Sequence, residues 1–198
     1  NKVISELLDG KEVNLPRYNF ASGKQEISKD VTKLGEKTVL VVEGIHAFHD
    51  QLTEMIPDKN KFKLFIAPLT PLNIDNHNII KNDDNRLLRR IIRDNRTRGK
   101  TSSETLALWH NVRKAEEEML FPYMKDADEI FNTNLIYELS VLKTYAEPLL
   151  FSVSKDDPNY IEALRLINLF RVILAIPSDE VPSDSLLREF IGGSCFKA

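Results

Sequence analysis

The segment that most constrains the fold is Thr38–Ile45, which reads TVLVVEGI. Aliphatic residues, several of them β-branched, follow one another there without polar alternation, and Gly44 interrupts the run. A strand that is apolar on both faces is typical of the interior of a parallel sheet. We therefore predict a central parallel strand in this segment, with Glu43 at its carboxyl end.

The rest of the chain alternates between strand-like and helix-like patterns. Apolar runs predict further strands at Phe62–Ala67 and Ala127–Thr133, and Pro16 and Gly23 bracket a loop or short hairpin. Helical spacing of apolar residues predicts helices over Asp83–Arg96, Ser102–Lys125, Asn134–Leu150, Pro158–Leu174 and Ser183–Phe190. This order predicts an α/β fold, with a parallel sheet flanked by helices and a helical C-terminal extension.

Composition excludes several classes of protein. No apolar run among the 198 residues approaches the ~20 that a membrane helix needs. The single cysteine, Cys195, excludes disulfides within the chain and a multi-cysteine zinc site. A net charge of −3 argues against a general nucleic-acid coat. The first residues carry no apolar signal core, and we expect a cytoplasmic protein.

The densest charge feature is Arg86–Lys100, which holds seven basic residues and one acid, Asp94. On a helix, Arg86, Arg89 and Arg93 recur at a spacing that brings them to one face. Guanidinium forks suit phosphate oxygens because two parallel N–H bonds fit them. A phosphate site is one interpretation. A solvated helix face with carboxylate partners elsewhere is the other, and both stay open here.

Two further features concern phosphate and metal chemistry. An acid at the end of a buried strand, such as Glu43, lies where α/β sheets bind ligands, although it can also simply emerge from the sheet edge. Gly99-Lys100-Thr101 matches the tail of a nucleotide phosphate loop, but Asp94 stands where the loop needs its first glycine. We therefore expect no phosphate loop within these residues.

Four stretches, taken in order, resemble one family. They are Gly10–Phe20 with its Pro-Arg-Tyr-Asn-Phe end, Val39–Ile45, Arg89–Gly99 with the pattern RRIIRD followed by RG, and Pro122–Ile130. Together they resemble the uridine kinase / phosphoribulokinase family of P-loop kinases, and within it a bacterial uridine-kinase-like subgroup. The resemblance implies a partial P-loop NTPase-like sheet, an ATP-dependent kinase activity and a requirement for Mg²⁺.

The resemblance also implies roles for individual residues. Tyr18 and Phe20 are expected to contact a nucleoside-like acceptor. Glu43 is expected to organise Mg²⁺ and the acceptor hydroxyl. Arg90 and Arg93 are expected to hold the acceptor and the transferred phosphoryl group, so that with Glu43 they form the catalytic set.

A mobile lid is implied as well, in which Arg98 and Lys100 close over the ATP phosphates. Two departures concern the acceptor, since Gly23 and Leu108 stand where uridine kinases carry a histidine and a glutamine. Both of those family residues contact the pyrimidine or ribose, so the resemblance leaves the identity of the acceptor open.

The family's phosphate loop and catalytic aspartate lie upstream of the first stretch. We therefore interpret residues 1–133 as a kinase-like domain without that segment, and residues 134–198 as the helical extension. This chain is expected to be part of a longer kinase and to be inactive alone. It is also expected to expose an unpaired sheet edge, which self-association as a homo-oligomer would cover.

Two other functions remain open. A non-catalytic kinase-like module could use the arginine helix to bind a phosphorylated metabolite or RNA. A structural scaffold could pair all its arginines internally. The kinase hypothesis predicts ATP and a small-molecule acceptor as partners, and neither a membrane nor a nucleic acid.

Overall fold

The computed structural model describes residues 2–19, 23–44, 47–69, 73, 75–77 and 79–196. The helices in these ranges are α1 (Lys2–Leu8), α2 (Asp50–Thr53), α3 (Asn82–Arg98), α4 (Ser102–Met119), α5 (Glu138–Phe151), α6 (Tyr160–Arg171) and α7 (Leu187–Ile191). The strands are β1 (Val13–Asn19), β2 (Lys24–Thr32), β3 (Leu64–Ala67) and β4 (Glu129–Asn132). The chain forms two compact units: a first unit of residues 1–64 and 114–129, and a second of residues 65–113 and 130–198.

An antiparallel hairpin dominates the first unit. Strands β1 and β2 pair with Tyr18 opposite Gln25, which confirms the predicted hairpin and lengthens it. Helix α1 ends at Leu8, and Gly10 just beyond it has a φ of +73°, a left-handed conformation that suits glycine. Leu7 and Val13 are buried where α1 and β1 meet.

The predicted central strand at Thr38–Ile45 is wrong for the residues that the structure describes. Residues 38–44 form no strand, and each of the two sheets in the described ranges has two strands from elsewhere in the chain. The side chains of Val39 and Val41 are 82% and 81% exposed. A strand is stable only when a neighbouring strand takes its backbone hydrogen bonds, and no described strand pairs with this segment.

The other two predicted strands are confirmed, as β3 and β4. The Asp128 N–H donates to the Lys63 carbonyl (2.9 Å), and the Thr133 N–H donates to the Ala67 carbonyl (3.0 Å). Because both partners advance along the chain in the same direction, the two strands are parallel. The expected α/β class with a small parallel sheet and flanking helices is therefore correct.

Helices make up most of the second unit. The apolar stripe of α3, formed by Leu87, Leu88, Ile91 and Ile92, is at most 3% exposed and packs in one core with residues of α4, α5, α6 and α7. Helix α5 begins later than predicted, at Glu138, because the Asn132 side chain accepts the Asn134 N–H at 3.0 Å in a turn.

Helix α4 begins and ends at positions that local chemistry explains. Thr101 and Glu104 form a capping box, in which the Thr101 N–H donates to Glu104 Oε2 (2.7 Å) and the Glu104 N–H donates to Thr101 Oγ1 (3.2 Å). The helix stops at Met119, short of the predicted Lys125, and Pro122 lies in a 3₁₀ turn beyond it. None of the helices in the described part of the chain is long and apolar enough to cross a membrane.

Candidate functional site

Helix α3 carries most of the candidate residues, and its charged side chains complement the helix dipole at both ends. Asp83 and Asp84 occupy the first turn, and Arg96 and Arg98 the last. Gly99 ends the helix with a φ of +63°, and the Lys100 N–H donates back to the Asp94 carbonyl at 3.1 Å. The Lys100 side chain is half-buried just beyond this turn.

Three of the predicted basic residues surround one buried carboxylate. Asp94 is fully buried. Arg98 Nη1 donates to Asp94 Oδ1 at 2.8 Å, Arg90 Nε lies 3.3 Å from Asp94 Oδ2, and Arg93 Nε lies 3.9 Å from Asp94 Oδ1. We refer to Arg90, Arg93, Arg98 and Asp94 as the Asp94 cluster. The structure thus brings together three of the four predicted phosphate-binding residues.

The Asp94 cluster places three guanidinium groups around one buried carboxylate. Arg93 also has a second carboxylate nearby, because its Nη1 lies 3.6 Å from Glu189 Oε1. The Nε–H groups of Arg90 and Arg93 are buried, and among the described residues neither makes a hydrogen bond, although each lies within 4 Å of an Asp94 oxygen. Burial, followed by repulsion from Arg98, lowers the pKa of Arg93 below the usual arginine value. Buried donors without acceptors are costly in free energy, so an anionic oxygen placed here would be stabilised.

The other arginines of α3 have structural partners. Arg89 makes a bidentate ion pair with the fully buried Glu138 at the start of α5, and its Nη2 also donates to the Thr133 carbonyl at 2.9 Å. Arg96 donates from Nε to the Phe190 carbonyl at 2.9 Å. Arg86 stacks over the buried ring of Trp109, 5.9 Å from its centroid. The arginine run therefore divides into structural residues and the Asp94 cluster.

The remaining predicted site residues fall in the first unit or outside the described residues. Tyr18 is 58% exposed on β1. Glu43 lies in an exposed coil just before Gly44, and not at the end of a strand as predicted. Phe20 lies outside the residues that the structure describes.

Metal ligands are sparse in the structure. Within the described ranges, no group of three or more histidine, cysteine, aspartate or glutamate side chains could hold a metal ion. The exposed Glu43 carboxylate can contribute one oxygen ligand. Mg²⁺ is commonly bound by one or two carboxylates together with substrate phosphates and water, so this residue is compatible with that kind of site.

Sequence reasoning missed the carboxylates that organise these arginines. Asp94 was visible as the only acid in Arg86–Lys100, and that isolation was a usable signal. Glu138 and Glu189 gave no such signal, because each meets its arginine only through helix packing. Arg93 Nη1 lies 3.6 Å from Glu189 Oε1 on α7.

Comparison with known proteins identifies the family of the larger part of the chain. The sequence profile of the phosphoribulokinase / uridine kinase family matches residues 1–137. A uridine kinase of Staphylococcus epidermidis is 28% identical over 128 residues, which are 64% of this chain and 53% of that protein. Uridine-cytidine kinase 2-B of Danio rerio is 30% identical over 130 residues, 65% of this chain and 43% of that one.

A third relative is uridine-cytidine kinase A of Dictyostelium discoideum, which is 30% identical over 130 residues. Those residues are 65% of this chain and 22% of that protein. The chain thus spans about half, or less, of the length of these curated relatives. Helices α5, α6 and α7 lie beyond the residues that the family profile matches.

Proposed function

This chain belongs to the phosphoribulokinase / uridine kinase family, and on that premise we propose that the intact protein is an ATP- and Mg²⁺-dependent kinase. It transfers the γ-phosphoryl group of ATP to a hydroxyl of a nucleoside-like acceptor. The names of its relatives, uridine kinase and uridine-cytidine kinase, support this class of acceptor.

One observation carries the proposal: the Asp94 cluster holds two buried guanidinium N–H donors that make no hydrogen bond with another described residue. Phosphoryl transfer depends mainly on positioning the reactants and neutralising the charge that develops on the phosphoryl oxygens. In this proposal Arg90 and Arg93 donate to those oxygens. Asp94 pairs with both guanidinium groups, Arg98 adds a positive charge beside them, and Lys100 is proposed to contribute its charge from the end of α3.

The acceptor and the metal are assigned to first-unit residues. Tyr18, with Phe20, contacts the acceptor, and Glu43 binds Mg²⁺. Glu43 is exposed and forms no ion pair with another described residue, so its carboxylate has a free coordination site. Bound Mg²⁺ supplies charge neutralisation at the phosphate oxygens.

These 198 residues contain no glycine-rich phosphate loop. We therefore expect them to show no ATP-dependent phosphorylation by themselves. Gly23 and Leu108 stand where uridine kinases carry two pyrimidine- or ribose-contacting residues, so the proposed acceptor is not restricted to uridine and includes other nucleosides and related alcohols. A cytoplasmic location remains a prediction.

A second candidate function is a non-catalytic module that binds phosphate through the Asp94 cluster, in which three arginine side chains surround one carboxylate. Both functions require phosphate binding, and only the kinase requires turnover. ATP consumption by the intact protein in the presence of uridine, cytidine and other nucleosides separates them. If no nucleoside is phosphorylated although phosphate binds, the kinase proposal is wrong.

Phosphate binding is tested first with the chain itself. Inorganic pyrophosphate is titrated calorimetrically at fixed ionic strength into the wild type, Arg93→Ala and Arg171→Ala. Arg171 is an exposed arginine of α6 that has no ion pair with another described residue, so its loss is a matched control for charge. We expect Arg93→Ala to weaken binding about tenfold or more, the effect of losing a charge-assisted hydrogen bond. Equal losses in the two variants would show that the Asp94 cluster is not the phosphate site.

A further inference from the structure

The C-terminal helix α7 is anchored on α3, next to the Asp94 cluster. Its residues Leu187, Phe190 and Ile191 are at most 8% exposed. Arg96 donates to the main-chain carbonyls of Glu189 and Phe190, and Arg89 lies over the Phe190 ring at 5.3 Å. These contacts determine where the side chain between them, Glu189, is held.

Glu189 reaches from this anchored helix towards Arg93. Its Oε1 lies 3.6 Å from Arg93 Nη1, and its side chain is 53% exposed. Arg93 pairs with two carboxylates in the described structure, Asp94 through Nε and Glu189 through Nη1. The two carboxylates therefore engage different nitrogen atoms of the same guanidinium group.

The two carboxylates differ in how firmly they are held. Asp94 is fully buried, pairs with three arginines and also faces Thr105 Oγ1 at 3.4 Å. Among the described residues Glu189 has one ion pair, 3.6 Å long and half-exposed, and such surface pairs are weak. A phosphate offers more charge and can accept two parallel N–H bonds from one guanidinium. A phosphate can therefore displace Glu189 and leave Asp94 in place.

We propose that Glu189 is an internal competitor for the phosphoryl group, which occupies Arg93 when the site is empty and leaves when phosphate binds. The inference rests on the proposed role of Arg93 in binding phosphate. It assigns a regulatory contact to the helical extension, since Glu189 lies beyond residues 1–137, which match the family.

The proposal is tested by removing and then reversing the charge at position 189. Pyrophosphate is titrated into the wild type, Glu189→Gln and Glu189→Lys at fixed ionic strength. We expect Glu189→Gln to bind pyrophosphate about two- to fivefold more tightly, the range expected for losing a competing surface ion pair. Glu189→Lys should bind more tightly still, because it adds a positive charge beside Arg93.

The matched control is Glu180→Gln, which makes the same charge change at an exposed carboxylate in the same C-terminal region. Glu180 forms no ion pair with another residue that the structure describes. Its affinity for pyrophosphate should stay within experimental error of the wild type. An equal gain in Glu180→Gln and Glu189→Gln would overturn the proposal, because it would reflect net charge alone.

Other outcomes separate this inference from the proposed function. If Arg93→Ala weakens binding and neither Glu189 variant strengthens it, the competitor role is wrong and the phosphate site stands. If neither the wild type nor the Glu189 variants bind pyrophosphate, both proposals fail. Trp109 fluorescence during thermal unfolding checks that each variant is folded.

Discussion

The two compact units differ in how well they cover their apolar residues. In the second unit, Leu88, Leu142 and Leu166 have no exposed surface and belong to one core of packed helices. In the first unit, Val39 and Val41 are more than four-fifths exposed. A helix satisfies its own backbone hydrogen bonds and needs only one covered face, whereas a strand also needs a neighbouring strand. In these residues the helical apolar pattern leads to a buried core, whereas the strand-like pattern of residues 38–44, which pairs with no described strand, leaves valines exposed.

The largest effect is expected from breaking the buried ion pair that joins α3 to α5. Glu138→Gln leaves the Arg89 charge buried beside a neutral amide, so we expect a loss of about 3–5 kcal/mol in the free energy of unfolding. Urea unfolding followed by Trp109 fluorescence measures it. Glu147→Gln, on the same helix but without an ion pair to another described residue, is the control. Similar losses in the two variants would contradict the structural role of Glu138.

A substitution in each unit tests the comparison directly. Leu166→Ala creates a cavity in the buried core, and we expect it to lower the free energy of unfolding by about 2–5 kcal/mol. Val41→Ala removes an exposed side chain, and we expect a change within about 0.5 kcal/mol. Urea unfolding followed by far-UV circular dichroism reports on both. A loss of several kcal/mol in Val41→Ala would mean that this segment is covered in solution, and the contrast between the units would then be wrong.

The smallest expected effect is on the pH dependence of stability, and it tests one ion pair of the second unit. Hydrogen bonds from Arg165 to Glu162, at 2.9 and 2.7 Å, lower the pKa of that carboxyl. The folded state therefore favours the ionised form. Its contribution to stability is complete above the ordinary glutamate pKa of about 4.3 and is lost as the pH falls through the lowered value.

We expect the stability of Glu162→Gln to fall less than that of the wild type as the pH drops below the ordinary glutamate pKa. At higher pH the two proteins should show the same dependence of stability on pH. Thermal unfolding midpoints measured between neutral pH and the acid limit check it. Glu147→Gln is again the matched control, because it removes a glutamate that has no arginine partner among the described residues. If the unfolding midpoints of Glu162→Gln and the wild type fall equally with pH, the ion pair of Glu162 with Arg165 does not contribute to the pH dependence of stability.

Much of the fold was predictable from local pattern. Helix α3 follows from the spacing of Leu87, Leu88, Ile91 and Ile92, and strands β3 and β4 follow from short apolar runs with turn residues beside them. The segment Thr38–Ile45 has the strongest strand pattern in the chain, and in the described residues it forms none. Strand propensity describes a side-chain preference, but pairing with another strand decides whether the ladder forms.

The candidate site also has features that the sequence predicts and features that only the tertiary structure decides. The sequence by itself determined that arginines recur along one helix, that Asp94 is the only acid among them, and which family most of the chain belongs to. Only the tertiary structure decided which arginines are already paired. Arg89 meets Glu138, and Arg93 meets Glu189, across helices far apart in the chain. The physical reason is that charge pairing depends on distances in space, which packing of the apolar faces sets and local sequence spacing does not.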